Sequence, residues 1–551
     1  MYDFLSGIVE NLKKINIKKY KTSIFYIFLI WFSFTIMDFI YHILNKNYEF
    51  NMNYYLLITI ILTATLPKYK NRIIIYSIIL LFSFVQLVHF EYYGNLFRAI
   101  EFYAIFTNMN DIRESFLSSL NILIIPSILI LISFTLLYLI NKKFNAIIYT
   151  FKYSSKLLLL LLFVFIINDI RIVYRTSNKL YSRSSKMIYP LAGNSSSFNL
   201  FKSINYFIIG IVPKKLLGHN SHFKVLKKPK KIKKNPNINI ILIIGETLRA
   251  KNVSFLDYKK EETTPLLKKL FKEQANKTFY NWVYSGGTMT KTSVAVLINR
   301  LKYPGVTQQI AEQENCIFNL AKSNNFDTYF ITAQEKQYMT IIHTLICSKY
   351  LKEDLTRDEF KDKLGKTTGM DEDLLKFIKK IDLENNNNLV TLEMQGSHSP
   401  YEIRSPKSFK KFKSEYNNSI LYSDYVLSSI IKYILRNVKK ETYFFYVSDH
   451  GELLNEKGHK GHGWFEPEVY KVPFIFASNR PISKEMKIQL KNIKSHYDIS
   501  STITHLLGYD AKIDSMEKKT IYINGSDLDA LGGFIKIEIE GGEKISLKKN
   551  N

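Results

Sequence analysis

Five apolar runs crowd the first third of the chain, and they decide what its N-terminal part can become. They are Thr22 to about Ile43, Tyr54–Leu66, Ile73 to about Phe90, Leu120 to about Ile140 and Leu157 to about Ile172. A helix needs about 20 apolar residues to cross the hydrocarbon layer of a bilayer. The second run approaches that length only if polar Asn51 and Asn53 are counted, so a re-entrant or interfacial helix is its alternative. The first run is no cleavable signal: it is too long, it follows a basic lead, and it lacks a small-residue cleavage site.

Lys and Arg concentrate on the cytoplasmic side of membrane helices. Lys13, Lys14, Lys18, Lys19 and Lys21 precede the first run. Lys68, Lys70 and Arg72 lie between the second and third, and Lys142, Lys143, Lys152 and Lys156 between the fourth and fifth. The alternate loops are poorer: one Lys in 44–53, and two Arg against several acids in 91–119. All three basic segments therefore fall on one side. The N-terminus is expected in the cytoplasm, and five crossings place everything after the fifth run outside. Loop 91–119 also holds Glu101, Asn108, Asn110, Asp111 and Glu114. A solvated loop is the plainer account of these residues, and a polar floor beneath an active site the alternative.

The chain of 551 residues is too long for one compact domain, and its formal net charge is +28. So large a basic balance signals nucleic acid or an anionic membrane surface. No nucleic-acid motif accompanies it, so a membrane is the expected partner and nucleic acid is not; plain Lys-rich composition is the alternative. Only two cysteines are present, Cys316 and Cys347, so no metal site can be built from Cys alone. Outside the cytoplasm the two could form one disulfide, a pairing that the sequence leaves open.

Residues 171–235 read as a bridge. Its stretch Phe198–Val212 is too short to span comfortably and reads as an amphipathic helix in the interface. The run KVLKKPKKIKKNP, residues 224–236, repels itself, carries two prolines and is expected to be an extended, solvated connector near anionic headgroups.

From Asn237 short apolar strands alternate with helices. Strands are expected at Ile238–Ile244, Thr328–Ile331, Leu389–Leu392, Tyr443–Val447 and Val472–Phe476, and helices at Pro265–Gln274, Glu314–Ser323 and Ile420–Leu435. This alternation predicts a parallel sheet covered on both faces, with sites at the carboxyl ends of its strands. Residues 534–547 alternate with period two and read as a hairpin.

Three of these strand ends carry ionisable residues: Gly245-Glu246-Thr247, Gln395-Gly396-Ser397-His398, and Ser448-Asp449-His450-Gly451-Glu452 with His459 and His462 beyond. A Glu after a strand is often the start of a helix, and a lone His is more often structural. An Asp-His pair at a sheet edge is harder to explain that way. Asp, His and Glu from separate strand ends suit zinc, which takes nitrogen and oxygen ligands. The segment Ser285-Gly286-Gly287-Thr288-Met289-Thr290-Lys291-Thr292-Ser293 looks like a tight turn into a helix start, where free N–H groups and the dipole favour a phosphate. An ordinary Ser/Thr-rich cap is its alternative.

The segments IIGETLRAKNVSFLDYKKEETTPLL (243–267), SGGTMTKTSV (285–294), GSHSPY (396–401) and SDHGELLNEKGHKGHG (448–463) resemble the ordered motifs of the bacterial phosphoethanolamine transferases. That family includes lipid A modifying enzymes and mobile colistin-resistance proteins, and the five-helix N-terminus matches it as well. The resemblance implies a transmembrane domain at 1–170, an interfacial helix and basic linker at 171–235, and a periplasmic, alkaline-phosphatase/sulfatase-like α/β domain at 236–551. It implies a zinc held by Glu246, Thr290, Asp449 and His450, with Thr290 as the nucleophile that becomes modified. His398 and His462 match histidines around the substrate phosphate or a second zinc, and Glu452 matches a nearby acid. Asn110 and Glu114 more loosely resemble membrane-side substrate residues.

The implied enzyme is a monomer of the inner membrane. Its donor is phosphatidylethanolamine, and its acceptor is lipid A or core oligosaccharide. Two departures stand out. Many relatives brace the nucleophile turn with a disulfide, at positions that are Gly286 and Val296 here. Where lipid A modifiers usually carry Trp-x-Asp-Asn, this chain has Ile331-Thr332-Ala333-Gln334-Glu335-Lys336, which looks more like the core-oligosaccharide branch. The nearest alternative is a glycerol-phosphate transferase of the lipoteichoic-acid-synthase type, which shares the layout but uses manganese. A non-catalytic assembly protein would be expected to have lost one of Glu246, Thr290, Asp449 or His450, and all four are present.

Overall fold

The computed structural model describes residues 17–45, 54–93, 96–97, 99, 102, 120–175, 196–213, 223–456, 458–511, 513–514, 517–530, 533–541 and 543–550. Asn110 and Glu114 lie outside these residues. The chain divides into two compact units: 1–103 with 119–217 and 457–460, and 104–118 with 218–456 and 461–551.

All five apolar runs of the first unit are helical: α1 (Ile17–Leu44), α2 (Tyr54–Ala64), α3 (Tyr69–Tyr93), α4 (Ile124–Phe144) and α5 (Ser154–Arg175). Among the described residues three stretches are long and apolar enough to cross a membrane: Lys19–Leu44, Tyr69–Glu91 and Leu120–Phe144. The helix α2 has 11 residues. At a rise of about 1.5 Å per residue it covers roughly half of a hydrocarbon layer about 30 Å thick. Phe25, Ile78, Leu131 and Phe163 stand exposed on the outer faces of the helices, as suits lipid rather than water.

Several polar groups inside this unit are paired. Tyr26 donates to Asn141 Oδ1 at 2.5 Å, and buried Arg72 donates to the Leu66 carbonyl at 2.9 Å and to Asn145. A sixth helix, α6 (Ser196–Tyr206), falls in the stretch expected to lie in the interface. It packs against α3 and α5, and eight of its 11 residues are buried. Its polar side chains find acids there: Ser196 Oγ donates to Asp38 Oδ1 at 2.8 Å, Asn205 to Asp169 Oδ2 at 2.8 Å, and Lys202 pairs with Asp169.

The second unit is built on seven strands: β1 (Asn239–Gly245), β2 (Thr278–Tyr284), β3 (Asp327–Thr332), β4 (Glu353–Leu355), β5 (Asn388–Glu393), β6 (Thr442–Ser448) and β7 (Lys471–Ser478). Their order is β2-β7-β6-β1-β5-β3-β4. The five from β6 to β4 run parallel. β7 runs antiparallel to β6, and β2 antiparallel to β7. The expectation of a parallel strand at Val472–Phe476 is thus corrected: the return from β6 holds only the short helix Pro467–Tyr470 in place of a crossover helix.

Every residue of β1 is buried. Ile241 and Ile243 face the core under α7 (Pro265–Glu273) and α9 (Glu415–Asn437), while Ile240, Leu242 and Ile244 face that under α8 (Thr290–Asn299) and α10 (His496–Leu506). A sheet buried on both faces reads as continuous apolar strands, as this one does. A second, antiparallel sheet closes the chain: β8 (Lys518–Asn524), β9 (Phe534–Glu540) and β10 (Glu543–Asn550), so the expected hairpin has a third strand.

The basic run 224–236 is extended, but it is no free connector. Its backbone is pinned along the second unit: the N–H groups of Ile232 and Lys233 donate to the Gly508 carbonyl at 2.8 and 3.0 Å, and Asp510 N–H donates to the Lys230 carbonyl at 2.8 Å. Cys316 and Cys347 are joined in a disulfide, their Cα atoms 6.7 Å apart.

Candidate active site

The carboxyl ends of β1, β5 and β6 and the start of α8 converge on one buried cluster. Glu246 follows β1 directly, with Thr247 in the left-handed region at φ 58°. Asp449 and His450 follow β6, whose last residue is paired with Gly245. Gly396 lies beyond β5 at φ 56°, and a Cβ there would stand 2.5 Å from the Glu246 carbonyl oxygen, so only glycine lets this loop close on β1.

Glu246, Asp449 and His450 each offer a ligand atom, all within 4.8 Å of one another, and all three residues are buried. Thr290 is the first residue of α8. Its Oγ1 is 3.3 Å from both carboxylate oxygens of Glu246 and 3.2 Å from His450 Nε2. The structure therefore brings the four expected metal ligands together.

Electrostatics favour a cation at this point. His450 Nδ1–H donates to the Gly451 carbonyl at 2.9 Å, which leaves the Nε2 lone pair facing the cluster. Burial lowers the His450 pKa to about 4, so the ring is neutral. Asp449 Oδ1 accepts from the N–H groups of Thr247 and His450 at 2.9 and 2.6 Å. Its Oδ2 is buried without a hydrogen-bond donor and lies 3.2 Å from His450 Nε2. Burial raises the Asp449 pKa, since an isolated buried charge is costly. Two acceptors turned towards each other in a dry site are what a divalent ion relieves. One imidazole, two carboxylates and a hydroxyl fit zinc, which is bound in tetrahedral sites by nitrogen and oxygen.

His462 and His398 adjoin this group. The His450 and His462 ring centroids are 4.6 Å apart, and those of His398 and His462 5.8 Å. Burial lowers the His462 pKa to about 3; burial, with the Arg404 charge, pushes His398 well below its ordinary value. Glu452 is buried, which raises its pKa to about 8, partly countered by Arg249. Arg249 in turn donates to the Glu452 carbonyl at 3.1 Å and to Glu456 Oε1 at 2.7 Å.

The nucleophile turn is tightly packed. A Cβ on Gly286 would lie 2.5 Å from Val296 Cβ, and one on Gly287 2.0 Å from Thr292 Oγ1. Gly286 and Val296 are thus immediate neighbours.

Several residues that the sequence did not single out hold these groups in place. Asp371 accepts from the N–H groups of Gln395 and Gly396 at 2.7 and 3.1 Å, and Arg404 donates to the His398 carbonyl at 3.0 Å. Asn524 donates to the Gly286 carbonyl from both backbone and side chain, at 3.0 and 2.9 Å, and accepts from Thr288 N–H at 3.0 Å. His496 is fully buried between α8 and the end of β6. None of them sits in a motif, and only spatial proximity reveals them.

Residues 238–509 match the sulfatase family. Among curated proteins the chain is 26% identical over 276 residues to phosphoethanolamine transferase EptA of Helicobacter pylori, covering 45% of this chain and 49% of that one. It is 27% identical over 315 residues to the Kdo(2)-lipid A phosphoethanolamine 7''-transferase of Escherichia coli, covering 49% and 51%. The matches thus span about half the length of these relatives. In fold the chain is similar to the integral membrane lipooligosaccharide phosphoethanolamine transferase A of Neisseria meningitidis. The TM-score is 0.56 at 17% identity, over 88% of this chain and 96% of that one. With N-terminal apolar helices followed by a sulfatase-like α/β domain, and with these sequence relatives, the chain is similar to the bacterial phosphoethanolamine transferases.

Proposed function

We propose that the chain transfers phosphoethanolamine from phosphatidylethanolamine to a lipid A or core-oligosaccharide acceptor, through a covalent intermediate on Thr290. The observation that carries this reading is the position of Thr290: its hydroxyl, at a helix start, lies 3.3 Å from Glu246 and 3.2 Å from His450 Nε2. A zinc held by Glu246, Asp449, His450 and Thr290 would lower the pKa of that hydroxyl and offset charge on the phosphoryl oxygens.

In the first half-reaction Thr290 Oγ bonds to phosphorus, the bond to the diacylglycerol oxygen breaks, and the hydroxyl proton ends on the released diacylglycerol. In the second, an acceptor oxygen attacks the same phosphorus and Thr290 Oγ leaves. The acceptor's proton has a base at hand, because burial keeps His398 and His462 neutral, and it ends on Thr290 Oγ. The positive end of the α8 dipole would favour the phosphoryl oxygens. Glu452 would serve the substrate beside them, and Asn110 and Glu114 would serve it from the membrane side. The Lys and Arg asymmetry of the loops supports a multi-pass inner-membrane protein with its catalytic domain in the periplasm. The Cys316–Cys347 disulfide suits that oxidising compartment.

The test is mass spectrometry of surface glycolipid from cells with and without the protein. The expected result is an added phosphoethanolamine, located on lipid A or on core sugar. Unchanged glycolipid alongside a new glycerol-phosphate adduct would replace this reading with the lipoteichoic-acid-synthase type.

A further inference from the structure

The geometry assigns His496 a positioning role: it fixes the distance between the nucleophile on α8 and the ligand pair Asp449–His450 at the end of β6. The role rests on the transfer chemistry proposed above. Thr290 and Asp449 come from different elements; Ser285 Oγ ties the turn before α8 to the Asp449 carbonyl, and a second tie is needed to fix the first turn of α8 itself. His496 occupies that gap. Its ring is fully buried, with Nε2 3.0 Å from the Ser448 carbonyl oxygen, one residue before Asp449, and Nδ1 3.5 Å from the carbonyl oxygen of Ser293. Ser293 belongs to the first turn of α8, and its Oγ donates to the Thr290 carbonyl at 3.1 Å. The 3.0 Å contact needs a donor, so the proton is on Nε2, and Nδ1 packs against the α8 turn.

The histidine is itself held from behind. Ser495 caps α10, and Asp498 accepts from Lys494 N–H at 2.9 Å and from Ser495 Oγ at 3.0 Å. Asp498 pairs with Lys519 at 2.8 Å, both side chains no more than 2% exposed. Lys519 lies on β8, and Asn524 at the far end of that strand holds Gly286 of the nucleophile turn. The C-terminal sheet supplies no reacting group, yet it grips α10 at one end and the turn before α8 at the other. Through His496 it sets where Thr290 stands relative to Asp449. Catalysis is sensitive to that: about 1 Å of misplacement costs on the order of a hundredfold in rate.

The test uses the full-length, zinc-loaded protein in lipid nanodiscs with a fluorescent phosphatidylethanolamine, comparing H496L, H496Q and H496N. A glutamine amide can reach the Ser448 carbonyl, an asparagine falls short, and leucine keeps the bulk but loses the donor. In single turnover, H496L and H496N are expected to form the Thr290 adduct at least about tenfold more slowly at saturating donor, with KM and zinc content close to wild type. H496Q is expected to recover most of the rate. Equal rates for H496Q and H496N, or a wild-type rate in H496L, would overturn the role while leaving the transfer reading intact. If H496L does not fold, the Gln–Asn comparison decides alone. No adduct on the wild-type protein overturns the transfer reading, and this role with it.

Discussion

Thr288, Thr290 and Thr292 share one turn, and their surroundings differ sharply. Thr292 Oγ1 donates to the Met289 carbonyl at 2.8 Å, a local helix-start bond. Thr288 Oγ1 is buried without a partner, and its N–H is tied to Asn524. Of the three, Thr290 is the one whose hydroxyl reaches ligand groups, Glu246 at 3.3 Å and His450 Nε2 at 3.2 Å. Thr290→Ala is therefore expected to abolish the covalent adduct and to weaken zinc binding, whereas Thr290→Ser retains part of the activity. Thr292→Ala loses a hydrogen bond of about 1 kcal/mol. Peptide mapping after incubation with phosphatidylethanolamine checks this, and an adduct on Thr288 would shift the nucleophile by one side-chain pair. Metal removal has a direction too. Ligand protons compete with zinc, so the difference in Tm between zinc-loaded and chelator-treated protein should shrink as pH falls from about 7 towards about 4. Over that range Asp449, its pKa raised by burial, takes up a proton first; His450, lowered to about 4, follows last. A Tm indifferent to chelation at neutral pH would remove zinc from the site, and manganese as the sole restoring ion would favour glycerol-phosphate transfer. Glu246, Asp449 and His450 were legible as candidates because they follow strand ends, whereas Thr290 was legible only through the family resemblance. His496 and Asn524 were not, since a lone His at a helix start or an Asn at a strand end has no spacing that betrays what it touches.

At the scale of elements, the buried strands were legible and the edges were not. β1, β3, β5 and β6 are continuous apolar runs because both of their faces are covered. β2 is Thr-Phe-Tyr-Asn-Trp-Val-Tyr at the sheet edge, partly exposed along its length, and shows no such run. In α6, Asp38 and Asp169 on neighbouring helices pair with Ser196 and Asn205, contacts that helical periodicity alone does not reveal. The disulfide is the other feature that spacing left open. It ties the residue before the helix Ile317–Lys322 to the one before the short turn Ser348–Tyr350, across a separation of 31 residues. A loop of that length corresponds to about 3–4 kcal/mol by the chain-entropy account. Cys316→Ser should lower Tm measurably, while Thr290 adduct formation at low temperature stays near wild type, since neither cysteine contacts the ligand cluster. Thermal melts of oxidised, reduced and Cys316→Ser protein check it; identical melts for all three would mean that the bond does not form.

For the whole molecule the open quantity is how many times the chain crosses the membrane, because that number decides which side the active site is on. Lys19–Leu44, Tyr69–Glu91 and Leu120–Phe144 are long and apolar enough to cross. An odd number of further crossings would return the catalytic unit to the cytoplasm. On the proposed periplasmic placement of the catalytic unit, both remaining helices, α2 and α5, cross or neither does. Charge favours crossing for both. Arg72 and Lys70 at the start of α3 and Lys142 and Lys143 at the end of α4 mark the same side, and basic residues stay cytoplasmic. If α2 did not cross, α1 would run from basic residues inside to Leu44 outside, and α3 would then have to start outside with its arginine and lysines in the wrong compartment. The same argument sends α5 from Lys156 on the inner face outwards. Reporter fusions at residues 67–72 and 145–152 should therefore be active only as cytoplasmic reporters, and fusions after residue 213 only as periplasmic ones. A cytoplasmic signal at all three would mean that α5 does not leave, and would separate Thr290 from any acceptor on the outer face.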